Sequence, residues 1–426
     1  MSDLNLHPIA VTIKPEVYET RQIRLTSPLI HIGGAVSQLS AFEFVKTDDR
    51  IYLPNLDALM SGIQQADRLD EYIELIKRRK PITELLESVF GEDWTQATGR
   101  NDKPIFPAHL SSALWGDRDA INELRPMIRD GFGRLYLPGT SIKGAIRTAI
   151  AYHLLKHGDR YNVPRSQQVS EIEHRLRGSM GELRRKAKFA DDREFIDELF
   201  SNFSLSYQGL TVSPRTGPNT DFMRAVQVTD SAPLLETDGD VIHNRAIVPE
   251  VLVTSHFQDG NAKYRASIFP EMVRSVETEL TLSVDYEMLS WFQHRQGMII
   301  PFKTVGELLQ ICQEFAQDQW VGEQQYWSRV QTNPDAQGKN LNFSAIRSMY
   351  EPECCPYSLK IGWGSGLPGT TVTMLLDAEL RSEIRDTCGI RAPGFEAPKS
   401  RRTVVALDGT IQFVPGWVKF EEVVAC

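Results

Sequence analysis

The sequence reads as an α+β protein, antiparallel sheet carrying helical insertions, and three observations lead to that reading. Residues 18–29 (YETRQIRLTSPL) alternate polar and apolar side chains with the period of a half-buried strand. Residues 56–90 instead repeat their apolar positions, among them Leu59, Ile63, Leu69, Ile73 and Ile76, at helical spacing. Strand-like and helical stretches do not alternate in the regular order that a parallel α/β sheet requires.

Each element then follows in turn. The first strand breaks at His31-Ile32-Gly33-Gly34, where paired glycines make a turn, and 50–53 is a second strand. Residues 135–155 (LYLPGTSIKGAIRTAIAYHLL) form a short strand, a Pro-Gly turn and a helix opened by Thr140 and Ser141 as its start signal. Residues 169–203 are charged and helical; 205–229 return to strands broken by PRTGPNT. Strands at 247–257 and 277–284, a helix over 305–327, a glycine loop (KIGWGSGLPGTT), a short helix and two closing strands complete the chain. The expected organisation is 1–55 as the first part of the sheet core, 56–130 a helical insertion, 131–160 the core helix, 161–204 a basic helical insertion and 205–426 the remaining core. No repeat of solenoid period interrupts it.

Length and composition bound the function. With 426 residues, 41% of them hydrophobic, the chain can bury a sizeable core in two or three domain-sized units. A net charge of −9 excludes a protein that coats nucleic acid indiscriminately. Local basic runs remain, with nine Lys or Arg against five Asp or Glu over 160–193 and six against three over 381–402; each is either a solvated face or part of a groove. No apolar run reaches the roughly eighteen residues of a membrane span, and MSDLNLHPIA lacks a signal-peptide pattern, so a cytoplasmic protein without a membrane partner is expected. Cys312, Cys354, Cys355, Cys388 and Cys426 form no CxxC pair and are read as reduced thiols.

Two loops carry chemistry. In GTSIKGAIR, Ser141 stands at a helix start with Lys143 and Arg147 four apart on one face, an arrangement open equally to an ordinary capped helix and to a phosphate site. In the second loop the Walker lysine position is Thr370, and the GxGxxG fingerprint fails at Leu367, so no nucleotide cofactor is assigned. Gly362, Gly364 and Gly366 leave the backbone open to close approach, with Trp363 beside them as a stacking candidate or a core residue.

Taken together and in order, PLIHIGG (28–34), LPGTSIKGAIR (137–147), DFMRAVQVTDS (221–231), the GWGSG loop and PKSRR (398–402) resemble the RAMP superfamily of CRISPR-associated proteins. The likeness is to the subunit seated at the 3′ end of the guide in type III-A complexes, with an insertion-bearing type III-D subunit as the alternative. It implies an RRM-like, ferredoxin-type core whose glycine loop and lysine-bearing helix contact RNA backbone. It also implies crRNA, target RNA and other Cas subunits, a RAMP backbone subunit among them, as partners. Residue by residue it points to His31 and Gly33, to Ser141, Lys143 and Arg147, and to Gly362, Gly364 and Gly366, with Arg224, Lys399, Arg401 and Arg402 added. A guide of arbitrary sequence must be held through phosphate and sugar, which small-residue loops and cations can do.

Related backbone subunits cleave target RNA with an acidic residue after the first strand. Glu43, in SAFEFV, is the nearest counterpart and stands where that family has aspartate, so no catalytic residue is assigned beyond this candidate. The histidines are read as scattered, and no metal site is assigned to them.

Overall fold

The computed structural model describes residues 17–78, 80–99, 102–116, 121–191, 197–212, 215–388 and 391–423, with the backbone alone over 186–191. The N-terminal segment MSDLNLHPIA, Arg193 and Cys426 lie outside the described residues. The main sheet has nine strands. Its neighbours run β17 (Leu359–Lys360), β20 (Trp417–Glu422), β1 (Tyr18–Ile30), β15 (Met272–Asp285), β12 (Ala246–Pro249), β5 (Ser111–Trp115), β4 (Arg50–Tyr52) and β3 (Val45–Lys46), with β9 (Val226–Val228) against the end of β15. A second sheet orders β19 (Ile411–Phe413), β18 (Arg401–Val405), β13 (Val251–His256), β14 (Ala262–Pro270), β6 (Glu123–Arg125) and β2 (Leu39–Ser40). Two small sheets, β10 (Leu235–Asp238) with β11 (Val241–Asn244), and β16 (Phe292–His294) with β7 (Phe203–Tyr207) and β8 (Leu210–Val212), complete the strands. Pairing is antiparallel except for β12 on β5 and β14 on β6.

Two long helices pack on each other and on the main sheet: α4 (Gly139–Lys156) and α9 (Val305–Arg329). In chain order β1, α4, β9, β15, α9 and β20 form a βαββαβ unit with strand order β20-β1-β15-β9, the ferredoxin-like arrangement expected from the sequence. The alternation read in 18–29 does bury one side: Ile23 and Leu25 join Leu280 and Leu282 of β15 beneath Ile142 and Ile146 of α4 and Leu308 and Phe315 of α9. Helix α9 starts where it does because Thr304 and Glu307 form a reciprocal capping box, satisfying two orphan N–H groups.

The remaining helices decorate this core. Helices α1 (Leu56–Gln65), α2 (Leu69–Lys77) and α3 (Thr83–Phe90) bury Leu59, Ile63 and Leu86 against Trp94 and Phe106 in a cluster of their own. Of the segment 56–130 expected as a helical insertion, the α-helices end at Phe90 and short 3-10 turns follow at Trp94–Gln96 and Ala108–Leu110; beyond them the chain contributes β5, which buries side chains on both faces, to one large sheet and β6 to the other. Helices α5 (Val169–Gly178), α6 (Met180–Asp191) and α7 (Asp197–Ser201) follow α4, and α8 (Tyr286–Trp291), α10 (Ser344–Met349), α11 (Gly366–Thr370) and α12 (Ala378–Thr387) lie in the last third.

Glu271 sits where the chain leaves β14 of one sheet and enters β15 of the other, and its carboxylate is wholly buried. Arg129 grips it with two parallel bonds, Nη1 to Oε2 at 2.7 Å and Nη2 to Oε1 at 2.8 Å. Ser112 Oγ of β5 donates to Oε1 at 2.6 Å, and the Met127 N–H donates to Oε2 at 3.0 Å. Burial alone would raise this carboxyl; the Arg129 charge and these donors outweigh it and hold it below the usual carboxylate range. Removing the charge leaves Arg129 buried without its partner, so Glu271→Gln should cost about 3–5 kcal/mol, read from the denaturant midpoint. Because the folded carboxyl is held below its unfolded value, that contribution is full above the carboxylate range. The gap between wild type and variant should therefore narrow as pH falls through that range.

Candidate nucleic-acid interface

The start of α4 is built differently from its sequence signal. Pro138 occupies the cap position, and Thr140 and Ser141 lie inside the first turn. The first amide is satisfied by a remote side chain, Gly139 N–H donating to Asp230 Oδ1 at 2.7 Å. Glycine is required there because a Cβ would stand 2.3 Å from the Val228 carbonyl of β9. The first amide at this helix start is thus taken by the chain's own carboxylate, while the Ser141 side chain lies half-buried in the first turn. Arg147 is likewise engaged: Nη1 donates to Asp221 Oδ2 at 2.6 Å while its guanidinium lies 3.8 Å from the Phe200 ring centroid. Lys143 makes no ion pair among the described residues; half-buried, it is pushed below the usual lysine range by burial, which Asp221 only partly offsets. Of the two, Lys143 rather than Arg147 is the cation without a carboxylate partner among the described residues.

The second glycine loop folds onto the end of β1. Trp363 N–H donates to the His31 carbonyl at 2.9 Å, and Gly416 N–H to the Leu29 carbonyl at 3.0 Å. Gly362 has φ +75°, and a Cβ there would lie 2.3 Å from the His31 carbonyl; one at Gly364 would lie 2.5 Å from that of Pro415. These glycines permit backbone packing within the fold, whereas Gly366, at φ +66°, is exposed and carries the chain into α11, which packs against α4. His31 itself is 2% exposed, and its Nδ1–H donates to the Glu271 carbonyl at 2.6 Å. Burial holds its imidazole below the usual range. Its side chain is therefore held inside the fold, bonded to the chain that links the two large sheets.

Basic side chains gather around this loop. Arg402 Nη1 donates to the Trp363 carbonyl at 2.7 Å, and its guanidinium lies 4.0 Å from the Trp363 ring centroid, with that of Arg125 at 5.9 Å. The indole, read from the sequence as a stacking candidate or a core residue, packs on a small core and carries an arginine on its face. Arg274 stacks similarly at 5.4 Å from Trp115, which shares a small core with Trp363. Burial and the charge of Arg125 lower the Arg402 guanidinium, and among the described residues no carboxylate offsets them. Behind the loop, Lys360, Arg401, Arg402 and Glu323 line a cleft of about 190 Å³ together with Gly364 and Gly366. Arg401 is spent there: its Nε donates to Glu323 Oε1 at 2.8 Å, and its guanidinium lies 3.9 Å from the Tyr326 ring. Lys360 is 5% exposed and makes no ion pair among the described residues, so burial outweighs Glu323 and lowers it.

The other sequence candidates lie apart. Arg224 is exposed, with Nη1 donating to the Asn219 carbonyl at 3.0 Å. Lys399 lies over the Phe395 ring at 3.4 Å, near Lys263 and Arg265. Gly33 forms an isolated bridge with Met127. Glu43 Oε2 accepts from the Ser40 N–H at 2.7 Å, closing its own turn. Sequence reasoning missed Arg125 and Arg274, which belong to no glycine-loop motif, and Lys360, which opens the KIGWGSGLPGTT loop but was not singled out.

A ferredoxin-like unit with a glycine loop laid on its first strand defines the architectural class, and the comparison with known families agrees. The RAMP superfamily model matches residues 22–281, and the chain belongs to that superfamily. More particularly, it is similar to the CRISPR system Cms protein Csm5 of Streptococcus thermophilus, 29% identical over 133 residues. That match covers 30% of this chain and spans 36% of the relative's length. Among solved structures, a chain of a Csm-crRNA-target RNA ternary complex of a type III-A CRISPR-Cas system superposes with a TM-score of 0.61 at 23% identity, covering 95% of this chain and 100% of that one. The crystal structure of T. onnurineus Csm5 gives 0.52 at 18%, covering 94% and 100%. At these identities the likeness is one of fold. No helix among the described residues is long and apolar enough to cross a membrane.

The loop geometry separates glycines that pack from those that do not. Gly364→Ala forces a Cβ against the Pro415 carbonyl and should cost about 1–3 kcal/mol in a thermal or chemical melt. Gly33→Ala, whose Cβ would meet nothing nearer than 3.7 Å, should stay within about 0.5 kcal/mol of wild type.

Proposed function

We propose that this chain is a guide-binding, non-catalytic RAMP subunit of a type III CRISPR effector complex, of the Csm5 kind, which grips the 3′ portion of the crRNA by its backbone. Its partners would be crRNA, target RNA and neighbouring Cas subunits, a RAMP backbone subunit among them. The observation that carries this reading is the pair Arg125 and Arg402, which share the Trp363 ring and repel one another with no carboxylate among the described residues to offset it. A phosphate placed between two such guanidiniums relieves that repulsion and is recognised without reading any base. Lys143 on α4 extends the same backbone-directed chemistry.

Guide maturation and target-RNA binding follow as supporting roles, since a protein that covers the guide's end decides how far trimming proceeds. Two tests address the two halves of the proposal. Arg125→Ala combined with Lys143→Ala should lower the salt dependence of guide binding by about one unit of log-log slope for each phosphate no longer neutralised. It should also leave assembled complexes with guides of altered 3′ length. Unchanged guide length and occupancy in a variant that melts like wild type would sink the grip. Glu43→Ala should leave the target-RNA cleavage pattern intact, because its carboxylate is committed to the Ser40 turn; loss of one cut at this subunit's position would make the chain an endoribonuclease instead.

A further inference from the structure

His153, in the last turn of α4, and His157, the residue that caps its C-terminus, stand at HxxxH spacing, which corrects the reading of the histidines as scattered. Across the helix pair, α9 presents Glu314 and, one turn on, Asp318. We propose that His153, His157 and Glu314 form a binding site for a divalent transition metal, Zn²⁺ by preference, that pins α4 to α9. One ligand atom from each residue lies within 4.8 Å of the others. His153 Nδ1 hydrogen-bonds Glu314 Oε2, and His157 Nε2 stands 2.7 Å from Glu314 Oε1, so both rings already turn a nitrogen toward one carboxylate.

The outer contacts suit a metal. His153 Nε2 lies 2.9 Å from the Tyr161 hydroxyl, the kind of outer partner that fixes ring orientation in metal-bound histidines. When Nδ1 takes the metal, the imidazole proton sits on Nε2 and is donated to Tyr161 Oη. Two imidazole nitrogens and one carboxylate oxygen are a borderline donor set, favouring zinc over magnesium or calcium and leaving a fourth position to water.

Lys156 is the competing cation. Its Nζ lies 2.9 Å from Glu314 Oε1 and also pairs with Asp318 Oδ2, which accepts from the Tyr152 hydroxyl at 2.9 Å as well. Asp318 can hold the lysine while Glu314 turns to the metal, so Lys156 sets the affinity rather than forbidding binding.

The test uses the full chain, stripped with a chelator and titrated with Zn²⁺, then with Co²⁺ for its visible spectrum. One zinc per chain is expected, with a higher melting temperature. The His157→Gln variant, altered at a side chain one-third exposed and so expected to fold, should bind at least about tenfold more weakly, and Tyr161→Phe about 10–100-fold more weakly. Lys156→Gln should bind more tightly, and Cys354→Ser, at an exposed thiol, should bind as wild type does. Zinc held equally by wild type and His157→Gln, or retained by neither, overturns the site.

Discussion

A buried carboxylate stands where the chain passes between the two large sheets. Glu271 stands at the passage from β14 to β15, and its four hydrogen bonds reach β5 of the main sheet and the segment after β6 of the second sheet. Its own carbonyl holds His31, and the His31 carbonyl in turn receives Trp363 of the glycine loop. The position of the loop is therefore a consequence of an ion pair two steps away. A buried ion pair contributes little net stability against an apolar replacement, yet it tolerates only one geometry, so its value here lies in register.

Much of the architecture was legible in the sequence. The alternation of 18–29 named the central strand, and the helical period of 56–76 named α1 and α2, because each exposes one polar face whose period can be read directly. The joining of β5 and β6 to separate sheets was not legible, since a short strand buried on both faces, as β5 is, and a strand of three residues, as β6 is, carry no readable period. Within the site, the motif landmarks recur together because they touch: Asp221 and Asp230 of the third landmark bind Arg147 and Gly139 of the second. Arg402 of the last landmark binds the GWGSG loop, which packs on His31 of the first. The same contacts engage groups that look like free ligands in one dimension: at Arg147, His31 and Arg401 the fold supplies partners of its own.

Charge is distributed with a purpose that the net value of −9 hides. Carboxylates are placed against the cations that hold the framework, as with Arg129, Arg147 and Arg401. Arg125, Arg274 and Arg402 receive aromatic rings instead. An indole face supports a guanidinium without neutralising it, so these arginines keep their positive potential while being held in place.

The placement of β1 also governs how such a chain is made. Its two hydrogen-bonding edges are covered by β15, pairing from Tyr18↔Asp285 to Ile30↔Val273, and by β20, pairing from Ile23↔Glu422 to Thr26↔Lys419. During synthesis the earliest of the core strands emerges long before either neighbour, and closing loops of that span is entropically slow. Until then a long strand with an apolar face stands open on both sides, the form most exposed to intermolecular pairing. Nascent-chain binding factors thus have a defined object to protect, and a truncation that removed β20 would leave the centre of the sheet as a permanent edge.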